Sequence, residues 1–199
     1  MTAIAALLAS YELVDLSVPY AEELPTAFPG HPRFEHKVQS WYAPVDGPQR
    51  IASLGPYFDN WMLLDEHSGT HFDAPAHFVP PPGSGLPHAA PIGATYADDV
   101  PLAQLQGPAA VIDCRSLLTD ELGTSPRVTA DFVRAWEAEH GALEPGDVVL
   151  IQGGWDARYL PGADGDAYTH GPLFGRATAW PAPDADCVLH CHGRGVRFM

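Results

Sequence analysis

The chain has 199 residues, of which 46% are hydrophobic and 18% charged, and its formal net charge is −15. This composition is typical of a globular protein, and the length predicts one domain spanning residues 1–199. The negative charge argues against nucleic acid and membrane surfaces as partners, because both are anionic. The three cysteines are an odd number without a disulfide framework, so the sequence predicts a cytoplasmic location.

The predicted elements alternate between strand and helix only in the second half of the chain. In chain order they are a short helix within residues 1–9, strands at Glu12–Val18, Trp61–Glu66 and Ala109–Cys114, a helix at Thr129–His140, a strand at Val148–Gln152 and a helix at Pro183–His192. Thr129 can cap the first long helix, and Asp184 can cap the second, which is expected to stop at Gly193. The pattern predicts an α/β fold with a compact mixed β-sheet core and flanking helices.

One segment between these elements concentrates potential metal ligands. Within eleven residues it carries three histidines and one aspartate, namely His67, His71, Asp73 and His77. Imidazole and carboxylate groups together suit a divalent transition metal such as Zn or Mn. A single loop histidine is usually solvated or hydrogen-bonded, but four such groups in one short segment favour a metal site that can activate water.

The spacing of the motif requires a bent backbone. A straight strand rises about 3.3 Å per residue, which would separate His67 and Asp73 by roughly 20 Å. No single ion spans that distance, so we expect a bend at Gly69 and Pro75. Asp73 has two oxygens and can bind one metal or bridge two. His77, beyond the proline, is expected to be a further ligand or a proton shuttle.

Three residues outside the motif are candidates for contacting a substrate. Trp155 follows the end of a predicted strand and could stack on an aromatic substrate or simply pack under a loop. Phe28 is open to the same two interpretations. Gln152 could donate a hydrogen bond to a substrate carbonyl. The Pro-rich loop Pro80–Pro87, directly after the motif, is expected to form a wall or lid beside the site.

The remaining histidines and cysteines give weaker signals. His190 and His192 could form a metal pair, but residues two apart point away from each other on a helix, so a solvated helix end is favoured. Five histidines are isolated and receive no role: His31, His36, His88, His140 and His170. The chain contains no Gly-x-Ser-x-Gly elbow and no Gly-rich nucleotide-binding motif.

The segment from His67 to His77 resembles the His-x-Gly-Thr-His-x-Asp-x-Pro-x-His signature of the metal-dependent cyclase family, which includes bacterial kynurenine formamidases and isatin hydrolases. The match is complete at every fixed position. Other similar segments extend the resemblance from about Asp15 to Phe198: Val14–Ser17, Phe28–Gly30, Gly146–Ile151 and Gly154–Trp155. The resemblance implies a swivelling β/β/α-type fold and a homodimer.

The resemblance also implies an activity and roles for the motif residues. It implies hydrolysis of an amide-type C–N bond in a small, aromatic substrate, either a formamide, as in an arylformamidase of tryptophan catabolism, or a cyclic amide. By the same resemblance, His67, His71 and Asp73 are metal ligands and His77 is the catalytic acid/base. The alternative is a non-catalytic metal or small-molecule binding protein, or an inactive truncated hydrolase.

The end of the sequence bears on that alternative. Members of the family continue past the strand that Gly195–Met199 begins, and that continuation supplies a further histidine and a glutamate. Here the sequence stops at Met199. Those two roles are therefore expected to lie outside this sequence, to be absent, or to be filled by other residues.

Overall fold

The computed structural model describes residues 3–47 and 51–199. In chain order the helices and strands of these residues are α1 Ala3–Leu8, β1 Glu35–Ser40, β2 Asp59–Leu63, β3 Ala109–Asp113, β4 Arg127–Val128, α2 Ala130–His140, β5 Val148–Gln152, α3 His170–Leu173, β6 Ala182–Pro183 and α4 Ala185–Arg194. Short 3₁₀ turns and loops connect them. Every helix in this part of the chain is too short or too polar to cross a membrane.

The strands pair into three small sheets. The strands β1 and β2 are antiparallel, whereas β3 pairs with β5 and β4 pairs with β6 in parallel. In the β3–β5 pair, the register runs from Ala109 opposite Val148 to Asp113 opposite Gln152. Phe198, next to the last residue, forms a parallel bridge with Val148. Parallel pairs joined through helices confirm the mixed α/β class expected from the sequence.

The hydrophobic core lies between the β3–β5 pair and the helices α2 and α4. Its buried members include Ile112 of β3, Val149 of β5 and Val133 of α2. Two cysteines of α4, Cys187 and Cys191, are buried in the same cluster. Burial raises the pKa of the Cys187 thiol to about 12, so these thiols act as small apolar side chains.

Both long helices begin directly after the residues that the sequence predicted as their N-terminal caps. The Thr129 hydroxyl accepts a hydrogen bond from the Phe132 N–H at 3.2 Å, and α2 ends at His140 as expected. The Asp184 carboxylate accepts from the Cys187 N–H at 2.9 Å at the start of α4. The predicted stop at Gly193 is wrong, because α4 continues to Arg194. Gly195, with φ of +78°, adopts the left-handed conformation that ends the helix.

A buried ion-pair network joins α2 to α4. The Glu137 side chain, only 6% exposed, lies 2.9 Å from His190 Nε2 and 2.9 Å from Arg194 Nε. It also accepts a hydrogen bond from the Leu143 N–H at 3.0 Å. Burial acts to raise the pKa of Glu137, but these three hydrogen-bond donors bring it below its ordinary value. His190 therefore links α2 to α4. This contact explains the position of its ring without a bound metal.

The first half of the chain departs most from the expected elements. The predicted strand Glu12–Val18 is wrong: the segment is irregular, and Leu13 is 85% exposed. Its apolar residues pair with no neighbouring strand among the described residues, so no sheet forms. The strand predicted at Trp61–Glu66 is shifted, because β2 runs from Asp59 to Leu63. Its partner β1 was not predicted, since its sequence EHKVQS is largely polar.

Candidate metal centre and substrate cavity

The histidine motif follows β2 in the chain and forms a bent loop. Gly69 has a φ of +56°, a left-handed conformation that costs glycine little. A Cβ atom built on Gly69 would lie 3.0 Å from Cζ of the Tyr20 ring, so space also favours glycine here. The Tyr20 hydroxyl donates to the Ser68 carbonyl oxygen at 2.7 Å, and the Thr70 hydroxyl accepts from the Val18 N–H at 3.0 Å. The segment before β1 thus fixes the bend that the spacing predicted.

The bend brings three of the motif residues together. His67 Nδ1 lies 2.8 Å from Asp73 Oδ1, and His71 Nε2 lies 3.5 Å from the same oxygen. One ligand atom from each of the three residues lies within 4.8 Å of the others. Two atoms that are each about 2.1 Å from one ion can be at most about 4.2 Å apart, and both measured distances satisfy that limit. The donor set of two imidazoles and one carboxylate fits Zn or Mn.

The protonation of His71 is fixed by the backbone. Its Nδ1 lies 2.9 Å from the Gly69 carbonyl oxygen, which can only accept a hydrogen bond, so Nδ1 carries the proton. The lone pair of the neutral ring then lies on Nε2, the nitrogen that faces Asp73. Backbone carbonyls hold metal-binding histidines in this way in many metalloproteins. The side chains of His67 and His71 are 12% and 24% exposed, so the group is reachable from solvent.

His77 stands beside the three clustered residues. It ends a short 3₁₀ helix, Pro75–His77, which turns the chain back towards the motif. Its ring centroid lies 4.0 Å from that of His67 and 4.3 Å from that of Phe78. Among residues 3–47 and 51–199 its ring nitrogens have no hydrogen-bond or ion-pair partner. They are therefore available to a ligand, a water or a substrate.

Several cavities lie at the motif, and two of them also reach Phe28. A cavity of about 330 Å³ is lined by His67 and His71 together with Phe28 and Trp155. A cavity of about 650 Å³ is lined by all four motif residues and by His31, Phe28, Phe78, Leu173 and Phe174 among others. Both have mainly apolar walls. Their combined lining suits a small aromatic molecule whose polar group reaches the His and Asp side chains.

The three candidate substrate residues are placed differently. Phe28 lines both cavities, and Trp155 lines the smaller one. The Trp155 indole N–H donates to the Tyr168 carbonyl oxygen at 2.8 Å, which fixes its ring. Gln152 is exposed and does not line the smaller cavity. Its predicted hydrogen bond to a substrate carbonyl therefore rests on its position in the sequence alone. The loop Pro80–Pro87, all of it described, contributes to neither cavity, so its predicted role as a wall is wrong.

Two residues near the site were missed in the sequence. His31 Nδ1 lies 3.2 Å from Asp65 Oδ1, and Asp65 also accepts from the His67 N–H at 2.9 Å. These two donors keep the pKa of Asp65 below its usual value. His31 is 36 positions from His67, so its sequence position gave no sign of the pairing. Asp65, two residues before the motif, gave only the weak signal of a carboxylate close to histidines.

A protein-family model matches the part of the chain that contains the histidine motif and most of the helices and strands. The model of the Cyclase family matches residues 14–199. The chain belongs to the Cyclase family. The segment that carries His67, His71, Asp73 and His77 thus lies within a chain whose family is shown over nearly its whole length.

Individual members of the Cyclase family are similar in sequence and in fold. An isatin hydrolase of Roseibium aggregatum is 38% identical over 136 residues, or 67% of this chain and 46% of that protein. The crystal structure of an isatin hydrolase bound to the product analogue thioisatinate is 29% identical with a TM-score of 0.67, and the alignment covers 98% of this chain and 71% of that one. Isatin hydrolase A from Ralstonia solanacearum is 27% identical with a TM-score of 0.69, covering 100% and 71%.

These comparisons support two statements about the chain. They confirm the mixed α/β fold, because the solved hydrolases superpose on almost all of it. They also show that the chain is shorter than its relatives, since its match spans less than half of the Roseibium protein.

Proposed function

We propose that this chain is a metal-dependent hydrolase that cleaves an amide-type C–N bond of a small aromatic substrate. The observation that carries the proposal is the convergence of His67, His71 and Asp73 beside the ring of His77. The likeness to isatin hydrolases supports the class of bond.

The proposed metal ligands are His67, His71 and Asp73, and the proposed metal is Zn or Mn. A divalent ion bound there would supply a Lewis acid that polarises a carbonyl oxygen and lowers the pKa of bound water towards neutrality. The chain's contribution is to fix the donor atoms. The Gly69 carbonyl orients His71, and the left-handed turn at Gly69 places His67 against Asp73.

His77 is the proposed catalytic acid/base. Its ring is close to His67 and lines the larger cavity, so a substrate bound there lies within its reach. In this role it takes a proton from the attacking water and delivers it to the departing nitrogen. Proton transfer by a positioned side chain typically contributes about 10²- to 10⁴-fold in rate.

The proposed substrate is a cyclic amide of the isatin type. The aromatic lining by Phe28, Trp155, Phe78 and Phe174 supports a planar aromatic ring. The similarity to isatin hydrolases supports a lactam rather than a formamide. An arylformamidase of tryptophan catabolism is the second candidate, because the family resemblance of the motif implies either activity.

The proposal is tested with the chain purified without chelator and loaded with Zn or Mn. We expect hydrolysis of isatin to exceed hydrolysis of N-formylkynurenine. The reverse preference would favour the arylformamidase. Binding of these compounds without turnover would support a non-catalytic binding protein or a hydrolase that lacks part of its site.

We also propose a homodimer in the cytoplasm. Strand β2 exposes large apolar side chains, with Met62 63% and Trp61 44% exposed, and a second copy of the chain could cover them. Three cysteines, all free and buried, suit a reducing compartment. Light scattering on the purified chain tests the dimer, since a monomer at micromolar concentration would exclude it.

A further inference from the structure

His31 lines the wall of the larger cavity beside the proposed metal ligands. Its side chain is 42% exposed, and its ring centroid lies 6.2 Å from that of His67. A turn fixes its backbone, in which the His31 N–H donates to the Phe28 carbonyl oxygen at 3.1 Å and Gly30 adopts a φ of +86°. Nothing in the proposed mechanism uses this imidazole, although it faces the same cavity as the motif.

Asp65 fixes the orientation of the His31 ring. A carboxylate can only accept a hydrogen bond, and Asp65 Oδ1 lies 3.2 Å from His31 Nδ1, within reach of a proton on that nitrogen. Asp65 itself is held by the His67 N–H and is 18% exposed, which ties the pair to the motif. In the tautomer with the proton on Nδ1, the lone pair lies on Nε2, the nitrogen farther from Asp65.

His31 is not one of the proposed metal ligands. Among the described residues, the group whose ligand atoms converge within 4.8 Å consists of His67, His71 and Asp73, and His31 is not part of it. The apolar neighbours of His31 in the cavity, such as Phe28 and Phe174, offer no hydrogen to the nitrogen. The natural partner of an acceptor in this position is an N–H group of a bound molecule.

We propose that His31 is a substrate-binding residue whose Nε2 accepts a hydrogen bond from the N–H of a cyclic amide, so that the cavity prefers N–H lactams to N-alkylated ones. This inference rests on the proposed function for its substrate class. It assigns the selectivity to a residue outside the metal-binding motif.

Two amide substitutions separate this role from a structural one. In His31→Asn the amide nitrogen takes the place of Nδ1, so the contact with Asp65 is kept and the group at Nε2 is lost. In His31→Gln the amide takes the place of Nε2, so the acceptor is kept and the contact with Asp65 is lost. A binding role predicts that His31→Asn is the more damaging change, whereas a purely structural role predicts the opposite order.

The experiment compares isatin with N-methylisatin on the metal-loaded full chain. Binding is followed by tryptophan fluorescence on rapid mixing, before turnover, and hydrolysis is followed separately for KM and kcat. We expect the wild-type chain to bind isatin about two- to tenfold more tightly, the yield of one net hydrogen bond. The preference should disappear in His31→Asn and persist in His31→Gln.

The outcomes separate this inference from the proposed function. Equal binding of the two compounds by the wild-type chain, or loss of the preference only in His31→Gln, would overturn the role of His31. Preferential binding of isatin that depends on His31, without hydrolysis, would support that role and overturn the proposed activity.

Discussion

His71 donates through Nδ1 to the carbonyl oxygen of Gly69, 2.9 Å away within the same turn. The contact decides which nitrogen of the ring can bind a cation, because only the unprotonated Nε2 keeps a lone pair. The glycine that permits the bend therefore also selects the tautomer of the histidine two residues later. This local turn therefore sets the donor atom of one proposed metal ligand before any ion binds.

Replacing His71 by alanine should remove the metal and the activity together. The loss leaves two of three proposed ligands, and two ligands hold a divalent ion far more weakly than three. Elemental analysis should show about one ion per chain for the wild type and close to none for His71→Ala. His192→Ala, which alters an exposed histidine of α4, is the matched control and should retain the ion. Unchanged metal content in His71→Ala would exclude this residue as a ligand.

Replacing His77 by alanine should separate catalysis from metal binding. The ring lies beside the ligand group but is not among the three converging residues, so the ion should remain. We expect kcat to fall by about 10²- to 10⁴-fold, the usual contribution of a general acid/base. Steady-state kinetics and elemental analysis on the same sample provide the check. A variant that loses its metal as well would make His77 a ligand instead.

Replacing Phe28 by alanine should weaken substrate binding. Phe28 lines both cavities, so its loss removes aromatic contact area without touching the ligand group. We expect KM for an aromatic substrate to rise by about tenfold while kcat changes little. Phe58, similarly exposed but in contact with Trp41, provides the control substitution. An equal rise of KM in Phe58→Ala would indicate a general loss of stability.

Replacing Glu137 by glutamine should destabilise the chain and change its response to acid. The wild-type carboxylate, with its pKa held below the ordinary value of 4.5, adds stability that is present above that value. This contribution disappears as the pH falls through the lowered pKa. Glu137→Gln should cost about 1–3 kcal/mol of unfolding free energy near neutral pH and should flatten the loss of stability below 4.5.

Denaturant unfolding at several pH values measures both effects of Glu137→Gln. Glu139→Gln serves as the control, because Glu139 lies exposed on the same helix. It should keep the wild-type stability and the wild-type acid dependence. A flat pH response in the wild-type chain would show that Glu137 does not contribute in this way.

The three cysteines should resist thiol reagents in the folded chain. Burial raises the pKa of Cys114 to about 11 and that of Cys187 to about 12, so little thiolate exists near pH ~8. With an aromatic disulfide reagent we expect the native chain to react at least about 100-fold more slowly than the urea-unfolded chain. Rapid reaction of one thiol in the native state would place that cysteine outside the core.

The sequence predicted the second half of the fold more accurately than the first. The helix α2 and the strand β5 agree with their predicted residues, because a cap, an apolar stripe and a run of β-branched residues act locally. The segment Glu12–Val18 has a similar apolar pattern but no partner strand, and β1 forms from a polar sequence because β2 lies beside it. Pairing is a tertiary property, and local composition does not encode it.

The family and the identity of the proposed metal ligands follow from the amino-acid sequence alone. Ligand chemistry is a property of side chains, and the spacing of His67, His71 and Asp73 around Gly69 already required a bend. By contrast, the contact of His190 with Glu137 between two helices and that of His31 with Asp65 beside the cavity are visible only in the folded chain. These contacts join residues 34 to 53 positions apart. Such pairings arise from chain packing, which a short sequence motif does not contain.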